Sequence, residues 1–446
     1  MKWLKRVAIV LGVLLVILAA VPFFLSLNDY IPRIEKAASE KLREPVKIKN
    51  LSFAALPLPH LTIDGITVGK SGEFSVGKVR VTPELLSLFG PVKIISSIRI
   101  DSLLLTQKAI DKIPLWIKPQ GAQPSQPLVV IRSLILEDAM VKLDKASFGP
   151  FAARLELNAL GQPGDASITT KDGKLKALFT PGKAGYLIDL TAKSWTLPAG
   201  PAIVFDQLTI KGVARTNDAT LSQINARLYG GTAIGKADIG WQKGLQFKGN
   251  FTVNQVELKP LVPLLAPGKR MSGKFSAKPV FSANSPAANQ LMNVLRLETP
   301  FDVRDGVLYG VDIEKAATSL IKRGTGGETR FEQLSGHLAM ERGTQRFTNL
   351  KIASGALAAS GNVSISPKKE LSGRVTAEVK AASISAASVP LNVSGTVDSP
   401  MLLPTGGTIA GAAAGTAILG PGLGTSVGAK VGGWVEGLFG KKEENK

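Results

Sequence analysis

An unbroken uncharged run near the amino terminus constrains this chain more than any other feature. Residues 7–27 carry no ionisable side chain, and as a helix, at about 1.5 Å per residue, they reach about 30 Å, the thickness of a bilayer's hydrocarbon core. A cleaved secretory signal has a shorter apolar region, about 7–15 residues, and residues 18–20 are a poor cleavage site. The run therefore predicts an uncleaved anchor. Lys2, Lys5 and Arg6 precede it, so the positive-inside rule predicts a cytoplasmic tip and an exported body.

The charge balance narrows the partners of that exported body. The chain of 446 residues has 54 Lys and Arg against 34 Asp and Glu, a net charge of +20, which favours anionic partners such as lipid head groups or acidic glycans. Nucleic acid is not expected, because aromatic residues are only 6% and the basic residues are scattered singly. The chain has no cysteine, which excludes disulfides and thiolate sites.

A short amphipathic helix is predicted directly after the anchor, over residues 28–44. Apolar residues recur there at helical spacing, and proline is tolerated in a first helical turn. The members of this stripe are Ile31, Ile34, Ala37, Ala38 and Leu42. Two interpretations remain open: the helix lies on the outer surface of the membrane, or its stripe packs onto the first strands.

From residue 46 onward the sequence predicts strands. Short β-favouring runs, often alternating, are separated by Gly, Asn, Asp and Pro. Residues 119–127 are rich in proline and polar residues and predict a flexible loop, while residues 313–322 form the single helical pattern in the later half. An elongated, curved antiparallel sheet with few short helices is the expected fold. Alternation alone leaves a lipid-filled groove and an ordinary β-sandwich equally open.

Catalytic and metal-binding constellations are not found in the sequence. His60 and His337 are far apart and have no second ligand at metal-site spacing. Asp302 and Asp305 are interpreted as turn residues beside Gly306. No catalytic, cofactor-binding or metal-binding residue is predicted, and the chain is not expected to be an enzyme.

The carboxy-terminal tail has glycine at every fourth position in two rows. Such spacing places each row on one face of a helix and is typical of close helix packing in membranes. The rows are Gly407, Gly411 and Gly415, then Gly420, Gly424, Gly428 and Gly432. We predict a helical hairpin that caps the body or binds an outer-membrane or self-association partner. The alternative is a flexible glycine-rich linker.

Several weak motifs in a fixed order give a family resemblance at both ends of the chain. Residues 31–36, 43–48 and 61–69, which follow the anchor, resemble the start of AsmA-family proteins, and residues 305–313, 329–336 and 360–363 resemble their carboxy-terminal region. The family is related to TamB-like and other bridge-like proteins of the bacterial envelope. The resemblance implies a long curved sheet folded into an apolar groove that handles lipid between the inner and outer membranes. It carries no catalytic residue.

Together these features predict a single-pass inner-membrane protein that binds phospholipid without a cofactor and conveys it across the periplasm. The alternative function is a non-enzymatic scaffold for outer-membrane protein biogenesis. The predicted segments are a cytoplasmic tip (1–6), the anchor (7–27), the amphipathic helix (28–44), a β-rich periplasmic body (45–290), an AsmA-like β region (291–400) and the tail (401–446). The candidate groove residues are Leu391, Val393 and Val397 on one strand, with Asn392 and Ser394 facing outward, and Val375 and Val379 on another.

Overall fold

A computed structural model describes residues 27–56, 58–116, 129–143, 147–198, 200–242, 244–286, 290–318, 325–355, 357–381 and 384–405. Of these residues, 67% lie in strands and 13% in helices, which confirms a mainly β fold with few short helices. The chain divides into two compact units, unit 1 (Met1–Ala202) and unit 2 (Ile203–Lys446). Their boundary falls inside the body predicted over residues 45–290.

The described residues of unit 1 form two α-helices and eleven strands, preceded by a 3₁₀ helix at Leu27–Tyr30. The helices are α1 (Ile31–Leu42) and α2 (Gln107–Trp116), and a second 3₁₀ helix covers Leu85–Phe89. The strands are β1 (Val46–Lys47), β2 (Asn50–Ala54), β3 (His60–Val68), β4 (Phe74–Pro83), β5 (Lys93–Thr106), β6 (Val129–Ile131), β7 (Ser133–Lys142), β8 (Ser147–Leu157), β9 (Pro163–Thr170), β10 (Leu175–Gly182) and β11 (Gly185–Thr196).

The sheet of unit 1 is mixed, which corrects the prediction of a purely antiparallel sheet. β1 and β2 pair in succession with β3, and β3, β4 and β5 follow as antiparallel neighbours. β6 and β7 then pair with β5 in parallel, and β7 to β11 continue antiparallel. A parallel pair requires a crossover of a dozen or more residues. Here the crossover includes α2, whose Ala109 is fully buried.

The predicted amphipathic helix is confirmed as α1, and its side chains cover the edge of the sheet. The N–H of Val46 donates to Ser39 Oγ at 2.9 Å, and that of Ile48 donates to Glu35 Oε1 at 2.8 Å. Asn28, just before α1, accepts from the N–H of Leu51 at 3.0 Å. An uncovered edge strand is a template for aggregation. These three acceptors satisfy amides that the edge would otherwise leave open.

In unit 2 the part of the chain that the structure describes forms three helices and thirteen strands. The helices are α3 (Leu258–Leu265), α4 (Leu291–Val294) and α5 (Ile313–Thr318). The strands are β12 (Val204–Ala214), β13 (Asp218–Leu228), β14 (Gly231–Gly240), β15 (Leu245–Glu257), β16 (Met271–Ala277), β17 (Val280–Ser285), β18 (Arg296–Val311), β19 (Thr325–Glu341), β20 (Thr344–Ala353), β21 (Leu357–Ile365), β22 (Leu371–Ala381), β23 (Ile384–Gly395) and β24 (Pro400–Pro404).

The strand pairings of unit 2 are antiparallel, as the sequence predicts. β12 to β15 form a meander, and β16 and β17 both lie between β15 and β18 as the two halves of a broken strand. Pro279 lies between β16 and β17 and cannot donate to a ladder, which accounts for the break. β18 to β24 then continue in chain order.

The other helices are only partly predicted by the sequence. The pattern over residues 313–322 is confirmed where it is described, as α5. The prediction missed α2, α3 and α4; α3 contains Pro263, and its sequence has the breakers expected of a loop. In the described part of the chain no helix is long and apolar enough to cross a membrane. Residues 7–26 of the predicted anchor, the 119–127 loop and residues 406–446 of the predicted tail lie outside the described residues.

Candidate functional site

An apolar cavity of about 430 Å³ lies in unit 2, between the concave face of the sheet and two helices. Its volume falls in the range of about 300–1,000 Å³ that is typical of small-molecule sites. Side chains from α3, α5 and eight strands line it. They include Met271 and Phe275 of β16, Phe301 and Val303 of β18, Leu334 and Leu338 of β19, Phe347 and Leu350 of β20, Val363 of β21, Leu371 and Val375 of β22, Val393 of β23 and Leu402 of β24.

The sheet must curl strongly to build this cavity. Seven strand-to-strand steps separate β16 from β24, and at about 4.8 Å each a flat sheet would hold them about 34 Å apart. Both strands nevertheless line the same cavity. A twist of about 20–25° per step accumulates to roughly 140–175° over seven steps. Twist on this scale helps the sheet to curl around the cavity.

An ion pair joins the two sides of the curled sheet. Lys269, which follows α3, donates from Nζ to Asp398 Oδ1 at 2.7 Å and to the carbonyl of Val397 at 2.5 Å. Lys269 precedes β16, and Asp398 lies in the turn between β23 and β24. The hydrogen bond from Lys269, reinforced by its charge, lowers the pKa of Asp398 below its ordinary value. The Lys269–Asp398 pair thus links the segment before β16 to the β23–β24 turn and holds the curled sheet closed.

The pKa of Asp398 predicts how this closure responds to acid. A carboxyl whose pKa is lower in the folded state stabilises the fold above its unfolded pKa of about 3.9, and this stabilisation is lost as the pH falls through the lowered value. The difference in melting temperature between the wild type and Asp398→Asn should therefore be positive at pH 7 and shrink below about pH 4. Lys269→Gln should show the same profile. A difference independent of pH would contradict this role.

Two apolar clusters flank the cavity and hold its helices in place. Leu258 of α3 packs with Val303, Phe331 and Leu334. Ile313, Ala316 and Ala317 of α5 pack with residues that include Ala359, Ala377 and Leu391. Ile352 of β20 contacts both clusters. Alanine on both surfaces lets α5 approach the sheet closely.

The cavity presents no polar group to a ligand. Thr299 is the one lining residue with a buried hydroxyl, and its Oγ1 donates to the Pro300 carbonyl at 2.8 Å and accepts from the Lys278 N–H at 3.1 Å. Its hydrogen bonds are therefore made within the sheet. No lining residue carries a charge. The arrangement suits a hydrocarbon chain and offers nothing to orient a polar substrate.

The structure brings some of the sequence-predicted groove residues together. Val375 and Val393 both line the cavity, while Leu391 is fully buried in the cluster under α5. Asn392 is exposed, and Ser394 is half-buried. Val379 lies in β22 opposite Leu357, and its side chain lies outside the described part.

Val397 does not share the strand that the sequence assigns to it. β23 ends at Gly395, which has a φ of +84°, a conformation that side chains rarely adopt. The chain turns there, so Val397 contributes its carbonyl to the Lys269 contact and does not line the cavity. The seven predicted packing glycines of the tail, Gly407 to Gly432, lie outside the described residues.

Two β-bulges change which side chains face the cavity, and the sequence did not predict the lining residues that result. Asp305 has a φ of +51° inside the continuous strand β18, which corrects its interpretation as a turn residue; Asp302 lies in the same strand and accepts from Arg304 Nε. Asn349 of β20 has a φ of +53°, and its N–H donates to Asn362 Oδ1. An extra residue resets the alternation. Phe347 and Leu350, three positions apart, can then both face the cavity.

Other chemistry in the described residues is sparse. They contain no group of three or more His, Cys, Asp or Glu side chains arranged to hold a metal ion. His60 Nδ1 lies 2.7 Å from the carbonyl of Leu58, and His337 lies within β19. No protein-family model, curated protein or solved structure matches this chain. The cavity is therefore the best-supported functional site.

Proposed function

We propose that this protein is an inner-membrane-anchored periplasmic protein that binds the acyl chains of phospholipids and conveys them between the inner and outer membranes. The observation that carries the proposal is the cavity of unit 2, which has wholly apolar walls on a curled sheet. We also propose that the protein belongs to the AsmA family, on the basis of the motifs at the two ends of the chain.

The energetics of hydrocarbon burial support an acyl chain as the ligand. Each buried methylene contributes about 0.8 kcal/mol, so ten methylenes would contribute about 8 kcal/mol before the cost of immobilising the lipid. After that cost the dissociation constant is no smaller than about 1 μM. Moderate affinity suits a carrier, because the ligand must also leave.

The absence of polar groups in the cavity wall bears on selectivity. A charged head group would lose hydration inside the cavity without gaining a hydrogen bond. The head group should therefore remain in solvent while the acyl chain enters. We expect the protein to accept phospholipids with different head groups about equally.

Photo-crosslinking in intact cells tests this function. A photoreactive amino acid at Val393, whose side chain lines the cavity, should yield phospholipid adducts of the full-length protein by mass spectrometry. The same amino acid at Asn392, the neighbouring exposed position, should yield none. Equal capture at both positions, or none at either, would contradict the proposal. Adducts with outer-membrane proteins at Val393 would instead support the assembly-factor alternative.

A further inference from the structure

Three connections meet at one end of the unit 1 sheet. The register pairs Ala54 with His60 and Leu61 with Val81, so the β2–β3 connection and the end of β4 lie together. It also pairs Lys93 with Val129. The β2–β3 connection (described at residues 55–56 and 58–59), the β4–β5 loop (84–92) and the start of β6 therefore lie side by side, within about four strand spacings of roughly 4.8 Å.

Large apolar side chains project into solvent from this end. Phe89 is 91% exposed and Leu86 is 84% exposed in the β4–β5 loop, and Leu58 of the neighbouring connection is 64% exposed. Leu56, Leu85, Leu88 and Val129 are exposed as well. We call these seven residues the leucine-rich end. The opposite end of the same strands is polar, since the β3–β4 turn consists of Gly, Lys, Ser and Glu residues 69–73.

The β4–β5 loop is fixed by its own hydrogen bonds. Lys93 donates from Nζ to the carbonyls of Leu88 and Gly90, both at 2.7 Å. Ser87 Oγ donates to the Glu84 carbonyl at 2.7 Å and accepts from the N–H of Ile94. The polar groups thus point inward to the backbone. The apolar side chains are held outward in a defined arrangement, which is typical of an interaction surface.

The chain enters unit 1 at this same end. Ser39, Glu35 and Asn28 contact Val46, Ile48 and Leu51 in turn, so α1 runs antiparallel to the edge strand. Residue 27, at the amino-terminal end of this segment, therefore lies toward Ala54, where β2 ends. The uncharged sequence of residues 7–26 immediately precedes this point. If that segment spans a membrane, the leucine-rich end faces the bilayer surface that the segment leaves.

Cationic groups flank the exposed leucines. Lys93 lies at the base of the loop, and Arg132 follows β6 and pairs with Glu84 at 3.2 Å, so these three groups together carry one net positive charge. Apolar side chains that enter the head-group and acyl boundary bind more strongly when basic residues accompany them, because the lipid phosphates are anionic. The combination fits a phospholipid leaflet better than it fits the apolar surface of another protein.

We infer that the leucine-rich end inserts Leu86, Phe89 and Leu58 into the outer leaflet of the membrane that anchors the chain. This second membrane contact rests on the proposed anchoring of residues 7–27. It is a site distinct from the acyl-chain cavity of unit 2. This membrane contact orients the strand ends of unit 1 against the bilayer, whereas the anchor alone only tethers the chain to it.

Environment-sensitive fluorophores test this contact, and the chain suits them because it contains no cysteine. Full-length Leu86→Cys and Phe89→Cys proteins, labelled and reconstituted into vesicles of phosphatidylethanolamine and phosphatidylglycerol, should show blue-shifted emission. Doxyl-labelled lipids should remove most of that emission, and aqueous iodide should remove little. Ser71→Cys, in the polar turn at the opposite end, is the matched control and should show the reverse.

Each outcome decides the inference. Equal iodide quenching at positions 86 and 71 would overturn it, and so would protection of position 86 from both quenchers, which indicates a protein partner. The double variant Leu86→Asp/Phe89→Asp should lose the lipid contact reported by a label at Leu58→Cys yet resist alkaline extraction. Phospholipid capture at Val393 separates the two proposals. If the proposed lipid-binding function is wrong, capture fails both in the double variant and in the protein with the native loop. If only the membrane contact is wrong, capture at Val393 is retained in the native-loop protein.

Discussion

Replacing Val393 with arginine should deprive the unit 2 cavity of its lipid, while the same replacement of Asn392 leaves lipid binding unchanged. Val393 is 9% exposed and lines the cavity, whereas the adjacent Asn392 points to solvent. Arginine adds about four heavy atoms to the valine side chain and so displaces about four methylenes of the lipid, and at about 0.8 kcal/mol each their loss lowers affinity on the order of 100-fold. No charged residue lines the cavity to pair with the guanidinium.

Phospholipid recovered with the purified full-length protein, per mole of chain, measures this effect. An unpaired charge also costs folding energy, so the melting temperature must be recorded for each variant. Val393→Leu keeps the wall apolar and provides a control for the substitution itself. If Asn392→Arg lost as much lipid as Val393→Arg, then β23 would not line the binding site.

Alternation was sufficient to predict strands and their inner face where the strands are regular. Val375 and Val393 line the cavity as expected, because β22 and β23 keep one register from the Gly373–Val393 pair to the Val379–Ala387 pair, and the register shifts only beyond Val379. The helical spacing of Ile313, Ala316 and Ala317 likewise predicted α5. In each case the signal is local, and the side chains point where the backbone period directs them.

The features that build the cavity depend on interactions distant in sequence. Asp305 and Asn349 shift the alternation, yet both have residue types that are also common in turns. In unit 1, outside the cavity, the parallel pairing of β5 with β6 likewise follows a crossover that includes α2, and no local period specifies which strands it brings together. The hydrogen bond from Lys269 to the Val397 carbonyl joins positions 128 residues apart. Twist accumulated over many strands brings them together, which the sequence of one strand does not encode.

The covering of the cavity by α5 leads to the second prediction. Ala377 of β22 is fully buried, and it pairs with Ala359 on one side and Val389 on the other. All three belong to the cluster beneath α5, where Ala316 is also fully buried. Interiors this close-packed do not absorb added methyl groups without shifting their neighbours. A larger side chain at Ala377 must therefore displace α5 or the strand.

Ala377→Leu should destabilise the protein by about 2 kcal/mol, the middle of the range for overpacked cores. For a unit of this size that loss lowers the melting temperature by roughly 4–8 °C. Glu378→Leu adds a similar side chain to the exposed neighbouring position and should change stability by no more than about 0.5 kcal/mol. Thermal unfolding of both full-length variants decides the matter. Equal melting temperatures would mean that α5 does not press on β22, and the cavity would then lack the cover that keeps its apolar wall from water.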